Sequence, residues 1–172
     1  MIQQHAEFWL RGPVEGVPPL LQPVAHALLQ ARQEVTAIMH DFKDEDLWCK
    51  PAGVASVAFH LQHLTGVLER LFTYANGKQM SNEQLSALKA EGIFSNSFTV
   101  HQLLTAFNEQ VSISIHELIL VKEEQLLETR GVGRANIPST MLGLLVHAAE
   151  HTMRHVGQLL VTVKLIGQHS PL

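Results

Sequence analysis

No run of lysines or arginines occurs anywhere along this chain. Its 172 residues hold 12 Lys plus Arg against 16 Asp plus Glu, a formal charge of −4 with the histidines neutral. A phosphate backbone demands a basic patch or stripe, so nucleic acid is not an expected partner, and neither is an anionic membrane surface. Cysteine is nearly missing as well. The lone Cys49 leaves no internal disulfide and suits a reducing compartment. No stretch approaches the ~20 consecutive apolar residues of a membrane span. The opening MIQQHAEFWLRG lacks the charged segment followed by an apolar one that marks an export leader. A cytoplasmic location is expected. Aromatic residues make up only 6%, and no alternating run is bounded by hairpin signals, so sheet is not expected.

What is present is helical in pattern. Hydrophobic residues at 46% beside 16% charged ones describe a globular chain, and the length suits one domain over 1–172. Residues 1–19 hold Gly12, Pro13, Gly16, Pro18 and Pro19, an irregular lead-in laid across the domain surface. Apolar residues then recur at helical spacing from Leu20 to about His40, from near Ser56 to about Ala75, from about Thr99 to Val121 and from about Thr140 to Ile166. Between the second and third of these, Ser81 with Gln84 three residues on forms a capping-box pattern that opens a short helix, stopped by Gly92. RGVGRANIPST reads as a loop. The expected fold is all-α, an up-down-up-down four-helix bundle.

Histidine is abundant, 11 residues, and unevenly placed. HAAEHTMRHVGQLL carries His147, His151 and His155 at intervals of four. At ~1.5 Å rise per residue, positions four apart share a face about 6 Å apart, so two imidazoles can meet on one metal ion. Either His147 with His151 or His151 with His155 can do so, but hardly all three. A catalytic site commonly takes three protein ligands and keeps an open position. VAFHLQHLTG in the second long helix offers the third ligand, as His60 or His63. A bare pair at this spacing says little; two clusters on neighbouring helices say more. His5, His26, His40, His101, His116 and His169 stand alone and are expected to be structural or solvated. On the last helix the strongest apolar stripe is Leu142, Val146, Ala149, Met153, Val156, Leu160 and Val163. The His row falls on roughly the opposite side, with Leu144, Ala148 and Thr162, where it would line a second, partly polar cleft or simply a wet surface. On the second helix His60 lies nearer the apolar stripe than His63, and periodicity does not choose between them.

FHLQHLTGVLERL in the second helix, HTMRHVGQL in the last and the entry DEDLWCKPAG together resemble the DinB/YfiT-like superfamily of four-helix metalloproteins. The likeness spans roughly residues 20–167, and the order and separation of its short motifs give it specificity. It implies metal ligands at His63, His151 and His155, with His60 and His147 beside them. It further implies a divalent metal such as zinc or nickel, and chemistry with a low-molecular-weight thiol in transferases or isomerases. At Val156 many relatives carry Arg; if that Arg serves an anionic cofactor, a different one is expected here.

Three neutral imidazoles leave a metal its full positive charge, which makes it a Lewis acid and lowers the pKa of a bound thiol or water. S-transfer, isomerisation or hydrolysis on a small electrophile is the expected activity. A non-catalytic metal-containing module that binds a small molecule or dimerises is the alternative, and a metal-free protein the third reading. No fixed general base is evident, since Glu150 points about 100° away from its neighbour His151. Arg154 and Gln158 border the His row and could bind a carboxylate or orient a ligand. Cys49, beside Trp48 and without a nearby His, is expected to be a small buried residue, neither ligand nor nucleophile. Leu144, Leu145, Ala148 and Leu159 lie outside the main apolar stripe, so a homodimer is expected to cover them.

Overall fold

A computed structural model describes residues 6–169, with side chains described as far as Gly167. Five α-helices carry the chain: α1 (Gln22–Ile38), α2 (Val57–Ala75), α3 (Asn82–Ala90), α4 (Val100–Leu120) and α5 (Met141–His169). The four long ones fall where hydrophobic periodicity predicts them, and α3 is the short helix signalled by Ser81 and Gln84. Its capping box is complete, with each side chain bonded to the other's backbone N–H. An equivalent box, Thr99 with Gln102, opens α4. The Asp44 carboxylate of the acidic linker also accepts from Val100 N at 2.6 Å at that helix start.

RGVGRANIPST is not merely a loop. Two short strands, β1 (Thr129–Val132) and β2 (Ile137–Thr140), pair antiparallel through it. The turn between them is closed by Asn136 N donating to Gly133 O at 3.1 Å, with both residues at positive φ. Four-residue strands bearing Gly131, Pro138 and Ser139 show no alternation of apolar and polar residues, which is why period two does not reveal them.

α2 packs against α5 and α4, and α1 against the same two helices. One contiguous core results, drawing buried residues from all four long helices. The lead-in lies along α1. Gln22 accepts from Val14 N and donates to the Val14 and Val17 carbonyls, and His26 meets Gly12 O at 3.0 Å. Among the described residues no helix is long and apolar enough to cross a membrane.

The core face of α5 differs from the expected stripe. Leu144, Leu145, Ala148, Leu159 and Thr162 are buried, whereas Val146 is 49% exposed and Leu160 38%. This helix is apolar on several sides and is gripped by both α1 and α2, so a wheel finds more than one candidate seam and only the neighbours choose. The His row consequently borders the core instead of facing away from it. The four residues expected to await a second copy are interior to the protomer.

Ser56 begins α2 with its hydroxyl accepting from Phe59 N at 3.2 Å, in a wholly buried position. Ser56→Ala removes this cap from the helix that carries His60 and His63, and is expected to cost about 0.5–2 kcal/mol in urea unfolding. An unchanged midpoint would show that the cap contributes nothing.

Candidate metal centre

The helix pair with the most extensive contact, α2 and α5, brings the two histidine clusters together. His63, His151 and His155 each offer a ring nitrogen, and the three atoms lie within 4.8 Å of one another. His63 Nε2 and His151 Nε2 are 3.0 Å apart. His60 is buried behind them, its Nδ1 3.3 Å from Nδ1 of His155. His147 stands outside the group. Its side chain is 51% exposed and its Nδ1 is 3.5 Å from Glu150.

Around His63 the protein supplies a support that sequence spacing does not reveal. Glu91, just past the end of α3, accepts a hydrogen bond from His63 Nδ1 at 2.7 Å. Its other oxygen accepts from Arg70, two turns further along α2. Burial works to raise the Glu91 carboxyl, but the hydrogen bonds from His63 and Arg70 and the charge of Arg70 outweigh it and hold the group below the usual carboxylate range. Phe59 stacks on the His63 ring at 5.2 Å and 13°. The glycine of the HLTG stretch has a physical purpose here. A Cβ at Gly66 would sit 2.5 Å from Glu91 Oε1 and 2.6 Å from Arg70, in the space that this ion pair occupies. Gly92, at φ +76°, lets the chain turn directly after Glu91 where a Cβ would press on Phe59 at 3.0 Å. Glu91 lies 28 residues from His63, so only the tertiary fold makes them neighbours.

The donor set fits a transition-metal ion. With its Nδ1–H donating to Glu91, a His63 ring in its neutral form has a bare lone pair on Nε2, aimed at His151. If His151 carries its proton on Nε2, its buried Nδ1 lacks a donor; if on Nδ1, two lone pairs oppose each other. Either way Nδ1 of His151 is buried without a hydrogen-bond partner. Hydrogen bonding within the cluster therefore does not close on protein atoms alone, and a cation that accepts ring-nitrogen lone pairs relieves it. Imidazole donors suit zinc, nickel, copper or iron better than calcium or magnesium.

Three rings of the cluster, His60, His151 and His155, are also held in the neutral form. Burial, aided by the charge of His63, pushes His60 down to about 4. Burial, then the charges of His63, His151, His60 and Arg154, takes His155 to about 4 as well. His151 is lowered by burial first and then by His63, His147 and Arg154, against the opposing pull of Glu150. Unfolded histidine titrates near 6.5. Between about 6.5 and 4 the unfolded metal-free chain thus binds more protons than the folded one, so stability rises with pH across that window. Chelator-treated protein is expected to keep its full stability above pH 6.5 and to lose it as pH falls towards 4. A melting temperature flat from pH 7 to pH 5 would contradict this.

Arg154 forms an exposed ion pair with Glu150 one turn back on α5, and Gln158 lines a neighbouring pocket. Val156 packs into the core, 2% exposed. Cys49 is exposed, not buried as expected. The backbone turn at Asp46 leaves its Sγ outward, 4.0 Å from the Asp46 carboxylate, while Leu47 takes the interior position. Among the isolated histidines, His40, His101 and His116 are exposed and His26 is half-buried. His5 and the side chain of His169 lie outside the described residues.

The DinB superfamily model matches residues 27–159, which include all three converging histidines and Glu91. Two crystal structures share the fold. A conserved protein of Enterococcus faecalis is 22% identical with a TM-score of 0.65, covering 86% of this chain and 97% of that one. A candidate member of the DinB family from Exiguobacterium sibiricum is 17% identical with a TM-score of 0.68, covering 91% and 97%. No curated protein matches. The family match runs through both histidine-bearing helices and accounts for most of the chain, which belongs to the DinB superfamily.

Proposed function

We propose that the protein is a metal-dependent enzyme in which His63, His151 and His155 hold one divalent transition-metal ion, zinc or nickel. The observation that supports this is the convergence of three ring nitrogens within 4.8 Å from two different helices. Bound there, the ion would supply Lewis acidity and make a thiol or a water acidic at neutral pH. The chain's own residues do the rest. Glu91 fixes the His63 ring through Nδ1 and leaves Nε2 free to ligate. Phe59 covers one face of that ring and excludes water from it. His60 backs His155 and sets its orientation.

The reaction we assign is S-transfer or isomerisation with a low-molecular-weight thiol, or hydrolysis, on a small electrophile. The thiol comes from the family resemblance; the pocket beside His60 favours an enzyme over a closed structural site. The reading also takes the four long helices to alternate up and down, and the location to be cytoplasmic. A homodimer is retained, now with Val146, Leu160 and Val161 as the exposed large apolar residues among those described on α5, and a clean 19.1 kDa species in sedimentation at micromolar concentration would end it.

Zinc- or nickel-reloaded protein, assayed for consumption of cysteine or glutathione with 1-chloro-2,4-dinitrobenzene and for hydrolysis of p-nitrophenyl acetate, tests the activity. Turnover that disappears on chelation and in His155→Ala supports it. A fully loaded protein inert in every assay points to the non-catalytic module.

A further inference from the structure

Beside the histidine cluster, and separate from its three converging rings, lies a pocket of about 520 Å³ between the start of α2 and the face of α5 one turn past His155. That volume falls within the range of small-molecule sites. Its walls are mainly apolar, with Val54 and Ala55 on one side and Val161 on the other. His60 forms part of the lining while its Nδ1 contacts His155, so an occupant would sit one imidazole away from the cluster. Gln158, an exposed residue at its mouth, also lines it, and among the described residues its amide has no protein hydrogen-bond partner. Gly157 lines it as well and leaves room: a Cβ there would meet nothing within 4 Å.

Arg154 is the lining residue with a fixed charge, and Glu150 at i−4 already neutralises it. An anion entering the pocket would meet Arg154 only as half of a neutral pair with Glu150, and a cation would meet no unmatched acid. Taking an ion out of water without a partner is costly. An uncharged molecule with an apolar body escapes this penalty, and a head group with both a donor and an acceptor matches the free Gln158 amide.

We propose that this pocket binds an uncharged small molecule with an apolar body and an amide-like head group, held by Gln158. As the electrophilic substrate's site, this rests on the metal-enzyme reading; as a binding site, it rests on the pocket alone.

Hexanamide, hexanoate and hexylamine share an apolar chain and differ in charge, so they serve as probes of the full-length protein by heteronuclear NMR titration, with zinc loaded and with zinc removed. Hexanamide is expected to shift the backbone resonances of residues 157–162 and to bind at least about tenfold more tightly than either ion. Gly157→Leu fills the pocket with a better helix former than glycine and should abolish those shifts while the zinc content stays at the wild-type level. Gly157→Ala, a smaller plug, should weaken them partially. Tighter binding of hexanoate, no binding of hexanamide, or equal binding by a folded Gly157→Leu protein would each overturn the proposal. Hexanamide binding in a protein that retains no zinc sinks the metal reading and leaves the pocket standing. Zinc retained without hexanamide binding does the reverse.

Discussion

Zinc content is expected to fall to background in His63→Ala, His151→Ala and His155→Ala protein, while His147→Ala and His60→Ala keep a bound ion. The last helix offers two pairings at i, i+4, and spacing alone leaves His147 and His155 equivalent. The structure separates them. His155 lies with His63 and His151, whereas His147 projects into solvent beside Glu150. Losing a primary ligand removes one of three donor bonds and leaves a neutral cavity, so the loss should exceed the roughly 10–100-fold cost of deleting a residue that merely supports a ligand. His60→Ala, which removes only the contact to His155, should fall within that smaller range. A full metal load in His155→Ala would refute the assignment, and loss in His147→Ala would revive the rival pairing.

Glu91→Gln is expected to weaken zinc binding by roughly 10–100-fold without removing any ligand. The carboxylate raises the basicity of His63 and fixes which ring nitrogen is bare; a neutral amide of the same shape keeps a hydrogen bond and loses the charge. Arg70 completes the unit. The Arg70 and Glu91 side chains are only 11% and 8% exposed, so Arg70→Met strands a buried carboxylate and should cost about 3–5 kcal/mol in urea unfolding. Competition titration with a fluorescent chelator reads the first effect, and the denaturation midpoint of metal-free protein reads the second. Zinc affinity unchanged in Glu91→Gln would mean that His63 needs no partner.

Much of this architecture is legible in the sequence because it is encoded locally. The long helices follow from apolar periodicity, and α3 from the reciprocal caps of Ser81 and Gln84. The grouping of His151 with His155 follows from a four-residue spacing, though the choice of His155 over His147 needed either a family resemblance or the packed structure. What could not be read depends on packing between distant segments. Glu91 reaches His63 across a turn whose only local sign, Gly92, looks like an ordinary helix stop. The buried face of α5 is not legible in the sequence because leucine, valine and alanine occur around most of its circumference, and α1 and α2 decide which are covered. The β1–β2 hairpin carries no alternation, and the exposure of Cys49 depends on Leu47 claiming the interior of the linker.

X-ray absorption at the zinc edge, on untagged protein loaded with one equivalent, tests the central claim most directly. Three imidazole nitrogens should give a shell at about 2.0–2.1 Å with the multiple scattering of histidine rings, and no sulfur at about 2.3 Å. A sulfur shell, an oxygen-only shell without imidazole scattering, or failure to retain zinc at all would contradict a site built from His63, His151 and His155.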